Sequence, residues 1–280
     1  MQLEQNGIEA HTVWRFQDGK LASATDQLTV EEPVELLLEY GPLQDRKRSR
    51  ISVNLLTPGD AAAWATGFLF CEGLLGSPRE IERITIGEDQ ISVCLTDAPE
   101  AWQHIHLDRT ARRLAATASC GFCGKENLEG LSWEPAYFPR KEYPKISGEF
   151  LIGLGKKLDA QQEIFAHTGS LHAAALFNAQ GELLLVKEDI GRHNALDKLI
   201  GEALIKEMLP LRDHILWLSG RIGFELVQKA SMAGLPIIAA VGAPSTMAVK
   251  AAEISGITLV GFLRGSQFNC YSFPERLLPD

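Results

Sequence analysis

The chain has 280 residues, 45% of them hydrophobic and 22% charged, with a formal net charge of −9. This is an ordinary globular composition, enough for one large domain or two small ones. The acidic balance argues against a general binder of nucleic acid or of a membrane surface, whose phosphates it would repel at long range.

The opening MQLEQNGIEAHTVWRF carries neither a basic stretch nor an apolar one, so it does not read as a secretory signal. Nowhere is an uninterrupted apolar run long enough to cross a bilayer. The expectation is a soluble, cytoplasmic protein. The five cysteines (Cys71, Cys94, Cys120, Cys123 and Cys270) are odd in number and irregular in spacing, which excludes a disulfide framework. Cys71, Cys94 and Cys270 lie among apolar neighbours and read as core residues.

In chain order, Val34–Leu38 and Ile51–Leu55 are apolar runs separated by the charged stretch Asp45–Arg50, a pattern that predicts a hairpin. Thr57-Pro58-Gly59-Asp60 predicts a helix start, with Thr57 as its cap and Pro58 in the first turn. Trp64, Phe68 and Cys71 fall on one helical face, and Gly73 and Gly76 are the predicted stops. Ile84–Ile86 and Ile91–Leu95 predict paired strands. Residues 109–130 begin as a helix and break at Ser119-Cys120-Gly121-Phe122-Cys123-Gly124. Pro135, Pro139 and Pro144 mark a linker, which divides the chain into an N-terminal α+β region (1–140) and a C-terminal α/β domain (141–280).

Beyond the linker, Leu171–Phe177 and Leu183–Val186 predict two strands joined by a turn at Asn178–Gly181, followed by a helix over Asn194–Lys206. Then Ile215–Leu218, Phe224–Ala233, Pro236–Val241, Thr246–Ile254 and Ile257–Phe262 alternate as strand, helix, strand, helix, strand. Short links between such elements argue for a parallel α/β sheet.

The loops after those strands are Ser219-Gly220-Arg221, Gly242-Ala243-Pro244-Ser245-Thr246 and Leu263-Arg264-Gly265-Ser266. All three leave strand carboxyl ends and so meet at one edge, where open α/β folds bind ligands. Two lead into helix N-termini, which favour phosphate, and Arg221 and Arg264 add guanidinium groups. Each loop alone reads as an ordinary turn; three together point to a ligand. Neither a dinucleotide fingerprint nor a Walker sequence is present. Glu188-Asp189-Ile190-Gly191-Arg192-His193-Asn194 is a second polar cluster. It reads either as helix capping, with Asp197 and Lys198 solvated, or as functional machinery built on Arg192 and His193. His167 and His172, beside an apolar strand, read as hydrogen-bonded core residues.

Cys120-Gly121-Phe122-Cys123 is the sharpest chemical signal. Two thiols at this spacing suit zinc binding, thiol–disulfide exchange, persulfide carriage or no reactivity at all. Zinc lacks its other ligands: there is no second pair, and His104 and His106 do not complete a compact set. No structural metal is expected. Spacing alone does not choose between exchange and sulfur transfer.

Several segments resemble those of the formate dehydrogenase accessory sulfurtransferases (FdhD-type). They are Glu31-Glu32-Pro33-Val34, Thr57-Pro58-Gly59-Asp60, Gly67–Gly73, Ser119–Gly124, Thr168–Ala175, Glu188–Lys198, Ser219-Gly220-Arg221 and Thr258–Phe262, in the family's order. Phe122 and Ser170 depart from the usual pattern without removing a thiol.

The resemblance implies a cytidine-deaminase-like, three-layer C-terminal domain. It implies that sulfur passes from a cysteine desulfurase to the molybdenum (or tungsten) bis(guanine dinucleotide) cofactor of formate dehydrogenase. Cys120 would bear the persulfide and Cys123 would assist. Phe262, Leu263, Arg264, Gly265, Ser266 and Gln267 match the family's cofactor-binding stretch, which falls on the sheet edge already singled out. Arg221, Ser245, Arg192 and His193 complete the expected site, and a homodimer is implied. A cofactor-binding chaperone and a thiol–disulfide oxidoreductase are the rival expectations.

Overall fold

The computed structural model describes residues 7–105, 137–140, 143–159 and 168–278. It is a mixed α/β protein. A hairpin opens it: β1 (Ile8–Gln17) and β2 (Lys20–Thr29) pair antiparallel around Asp18 and Gly19. Both turn residues have positive φ (52° and 77°), as a two-residue hairpin loop requires. Alternation sorts this ribbon into two faces. Ala10, Thr12, Trp14, Phe16, Leu21, Ser23 and Thr25 form an uncharged one, and Glu9, Arg15, Lys20 and Asp26 fall on the other.

A four-stranded sheet follows in the order β4 (Lys47–Leu56), β3 (Glu32–Tyr40), β6 (Gln90–Leu95), β5 (Ile81–Ile86). The two predicted hairpins are both here, and β3 runs parallel to β6. Helix α1 (Ala61–Cys71) packs on this sheet, a short helix α2 spans Pro99–Trp102, and α3 spans Gly148–Asp159. Cys71 and Cys94 are buried and Cys270 is half-buried.

The six-stranded sheet has the order β13 (Gln267–Ser272), β12 (Thr258–Arg264), β11 (Ile237–Ala240), β10 (His214–Leu218), β8 (His172–Asn178), β9 (Leu183–Asp189). Strands β10, β11 and β12 are parallel, joined through α5 (Phe224–Met232) and α6 (Thr246–Ser255). The pleat splits the sheet's side chains. Ala174, Leu176, Leu216, Leu218, Ile238 and Leu259 join one core with α1, α4 (Arg192–Ile205), α5 and α6. Ala175, Phe177, Ile215, Trp217, Ala239 and Val260 join a second core with Leu151, Leu154 and Leu158 of α3. Residues 146–147 (β7) and 277–278 (β14) form a small parallel pair.

The first core also takes in Val34, Leu36 and Val93 of the four-stranded sheet. Its tightest point is the crossing of α1 and α4. A β-carbon at Gly67 would lie 1.9 Å from the Asp197 carbonyl oxygen, and one at Gly201 would lie 1.8 Å from that of Ala63. Only glycine lets these two backbones touch.

The start of α1 differs from expectation. Asp60 occupies the cap position with φ 56° and makes no side-chain capping bond. Thr57 lies outside the helix, because its hydroxyl and backbone are bound to the chain entering α4.

Candidate functional site

Cys120 and Cys123 lie outside the described residues, as do His106, Lys125 and His167. The site that can be built is the polar surface around the start of α4 and the adjoining loops.

Its anchor is Asp189, the last residue of β9, with no exposure to solvent. One carboxylate oxygen accepts from Gly191 N (2.9 Å) and Asn194 Nδ2 (3.0 Å); the other accepts from Thr57 N (3.1 Å) and sits 2.8 Å from Lys198 Nζ. Thr57 Oγ1 in turn accepts from Ile190 N at 3.0 Å. Lys198 also donates to the carbonyls of Thr57 (2.8 Å) and Glu188 (3.2 Å). Its three ammonium donors are thereby matched to three acceptors, the condition for burying a charge.

Asp197 and Lys198, expected to be solvated if the cluster only caps a helix, are therefore both buried. Asp197 is held by Lys229 at 2.7 and 3.0 Å. Burial opposes the charge on Lys229, but the Asp197 carboxylate overrides it and raises the lysine's pKa.

With Gly191 fixed as the cap, Arg192 and His193 open α4 and line a cleft of about 550 Å³ together with His172, Phe68, Glu225 and Lys229. His193 Nε2 lies 3.5 Å from a Glu225 oxygen. Burial, reinforced by Arg192, Lys229 and His172, lowers the His193 pKa to about 3, so the ring is neutral at neutral pH. His172 is shifted the same way, by burial first and then by the charges of Arg192 and Arg221, with Asp189 opposing.

His172 opens β8, and its Nδ1 is 3.4 Å from Ser219 Oγ. That hydroxyl accepts from Ala173 N at 2.9 Å. Its second lone pair or its hydrogen meets His172 Nδ1, so the contact orients the imidazole ring in either tautomer. A β-carbon on Gly220 would lie 3.1 Å from His172 Nδ1 and 3.7 Å from Arg192 Cδ, so glycine keeps open the space between them.

The loops at the strand ends do gather. Gly242 N donates to Gly220 O (3.2 Å), Ile222 N to Ala243 O (3.0 Å), and Phe262 N to Gly242 O (3.2 Å). Ser245 caps α6 by accepting from Ala248 N at 3.1 Å and is exposed. Arg221 is exposed. Arg264, also exposed, donates through Nε to Val241 O at 3.3 Å. Phe262 is exposed with φ 56°, Leu263 turns into the second core, and Gly265 and Ser266 form the tip between the paired Arg264 and Gln267.

Of the residues expected from sequence, Arg192 and His193 line the cleft. Arg221 adjoins it through Gly220, and Ser245 with Phe262–Gln267 occupies the neighbouring strand-end edge. Sequence reasoning missed His172, Ser219 and Gly220 as parts of one arrangement. The pairing of β8 with β10, which sets Leu218 opposite Ala174, is what joins them.

Comparison with known proteins gives consistent results. The model of the FdhD/NarQ family matches residues 29–278. The Streptomyces coelicolor protein named sulfur carrier protein FdhD is 42% identical over 279 residues, covering 96% of this chain and 95% of that relative. The protein of the same name from Sulfolobus acidocaldarius is 39% identical over 264 residues, covering 94% and 96%. A crystal structure from Desulfotalea psychrophila, described as that of a formate dehydrogenase accessory protein, superposes with a TM-score of 0.76. It covers 98% of this chain and 100% of its own at 23% identity, and so shows the shared fold.

Proposed function

The chain belongs to the FdhD/NarQ family, and on that premise we propose that it is a sulfur carrier serving formate dehydrogenase, with Cys120 as the persulfide-bearing residue. The observation that carries this reading is the near-full-length similarity to sulfur carrier proteins in a chain that has the Cys120–Cys123 pair.

In the first step the Cys120 thiolate attacks the outer sulfur of a persulfide on a cysteine desulfurase. The donor's S–S bond breaks as the new one forms, the donor leaves as a thiolate, and no net oxidation occurs. Attack of the Cys123 thiolate on the inner sulfur of Cys120 would then release hydrosulfide and leave a Cys120–Cys123 disulfide, which a dithiol reductant resets. The acceptor in this reading is the molybdenum bis(guanine dinucleotide) cofactor, bound as substrate along the strand-end edge. Arg221, Arg264 and the helix start capped by Ser245 supply the charge and N–H donors that phosphates attract. The reading extends to a cytoplasmic homodimer and to a cytidine-deaminase-like description of the six-stranded sheet. The latter is supported by its β8–β9 hairpin, its three parallel strands and its helices on both faces.

The test is peptide mass spectrometry after incubation with an active cysteine desulfurase and free cysteine. One added sulfur on the Cys120–Cys123 peptide, removed by reductant, is expected. Failure to load any sulfur while the desulfurase turns over would leave a cofactor-binding chaperone, which the exposed Arg221 and Arg264 also suit.

A further inference from the structure

We infer that the β1–β2 ribbon is an arm that grips a second copy of this chain, its uncharged face lying on Val53 and Leu55 of that copy's β4 and so walling the mouth of the other copy's cleft. Each strand of the ribbon has ten residues, a length of about 33 Å. A two-stranded hairpin standing alone in water is marginal, because neither face is covered. Among the described residues, its hydrogen bonds to the rest of the chain lie at its base, where Thr29 Oγ1 meets Thr168 Oγ1 (2.9 Å) and Ser170 Oγ (2.6 Å). Trp14 and Phe16 are each 71% exposed and Leu21 is 62% exposed. Phe16 stands opposite Leu21 and Trp14 opposite Ser23, so all three large side chains share one face near the tip. The charges, including the Arg15–Asp26 pair, fall on the other face.

The receiving surface is β4, the outer strand of the four-stranded sheet, which has β3 on one edge and no strand on the other. Lys47, Arg48 and Arg50 guard the first half of that edge, as charges do on strand edges. No charged residue falls between Ile51 and Leu56, and there Val53 and Leu55 are exposed, with the exposed Pro33 opposite Leu55. In its own copy the ribbon leaves this patch bare. Charge and area name the occupant. Each chain carries −9, so two copies repel at long range and meet most readily where neither presents a charge. A basic partner would be drawn to the acidic surface instead. Contact surfaces rich in aromatic residues and poor in charge are those of interface cores. When each ribbon lies on the other copy, Trp14, Phe16, Leu21, Val53 and Leu55 hide on the order of 600 Å² per copy, against about 800 Å² in a standard interface. The exchange is reciprocal and closes at two copies. Val53 and Leu55 also line the cleft beside Glu31, so the arm of one copy becomes the outer wall of the other's cleft. The inference takes from the proposed function only that a homodimer exists, and adds the surface that makes it.

The experiment has two parts on the full chain. Sedimentation velocity across a concentration series compares the wild type with the double variant Trp14→Ser/Phe16→Ser, with Val53→Lys and with Arg15→Ser on the charged face. Dimer affinity should fall by about tenfold or more in the first two, as loss of aromatic anchors does, and hold in Arg15→Ser. Circular dichroism on the same samples confirms that the fold is intact. In the second part, Phe16→benzoylphenylalanine is irradiated in a mixture of heavy-isotope and ordinary copies. A crosslink is expected from position 16 of one copy to Ile51–Leu56 of the other, as a peptide of mixed isotope. Unchanged dimerisation in both variants, or a crosslink confined to one copy or to another surface, would overturn the arm while leaving the homodimer standing. A wild type that stays monomeric removes the homodimer and the arm together, and persulfide loading of Cys120 then still tests the carrier reading by itself.

Discussion

Lys198 Nζ and Asp189 Oδ2 meet at 2.8 Å with almost no access to solvent, and they tie the start of α4 to Thr57 at the end of the four-stranded sheet. Breaking a buried pair by removing one partner strands the other's charge, at about 3–5 kcal/mol. Lys198→Met should therefore lower the melting temperature by on the order of 10 °C. A calorimetric scan that shows no change would mean the Lys198 ammonium is not needed to hold this junction.

The contact of α1 with α4 leaves no room for a methyl group. Gly67→Ala sets its new carbon against a backbone carbonyl, which no rotamer change relieves. The cost should reach or exceed the upper end of the range for overpacking, about 3 kcal/mol. Chemical denaturation reads it, with Gly153→Ala as the contrast, since a β-carbon there meets nothing.

Acid should destabilise the protein through His193. Its folded pKa, about 3, lies below the ordinary value of 6.5, so the unfolded chain takes up the proton first. The contribution is complete above pH 6.5 and is lost as pH falls from there toward 3. Between pH 7 and pH 4.5 the wild type should lose about 2–3 kcal/mol more than His193→Gln. Equal losses in urea titrations at the two pH values would show that His193 does not stay neutral. His172 shifts in the same direction and adds to the effect.

The cysteines should divide by reactivity. Burial pushes the Cys71 thiol well above its ordinary pKa, an effect that Lys229 offsets only in part. Iodoacetamide at pH 8 should leave Cys71 unmodified in the native protein and label it after unfolding. Native labelling at the rate of a free thiol would contradict the packing of α1 against α4.

The alternating half of the chain was legible because each of its elements declares itself locally. The parallel strands are short apolar runs, and Gly234 and Gly256 follow the helices with positive φ, as predicted stops should. The β1–β2 ribbon was not read, although Asp18-Gly19 is a hairpin signal, because its strands mix polar and apolar residues that bury against no core. The expected cap at Thr57, and the alternative in which Asp197 is solvated, fail for a different reason. A threonine before Pro-Gly and an aspartate on a helix suit a cap and a solvated face by local rules. Their actual partners, Ile190 and Lys229, are far away in sequence. His172 was likewise assigned to the core, and only the pairing of β8 with β10 brings it to Ser219.

The glycine-to-backbone crossing of α1 and α4 also bears on how the chain reaches its fold during synthesis. The apolar face of α1 is made early, while the helix that seals it is translated only after the segment around Cys120 and Cys123 has left the ribosome. Until then Trp64, Phe68 and Leu69 have no α4 to cover them, and this apolar surface is open to non-native association over that interval. A synonymous change that slows translation between these two helices should lower the yield of soluble protein without altering a single residue.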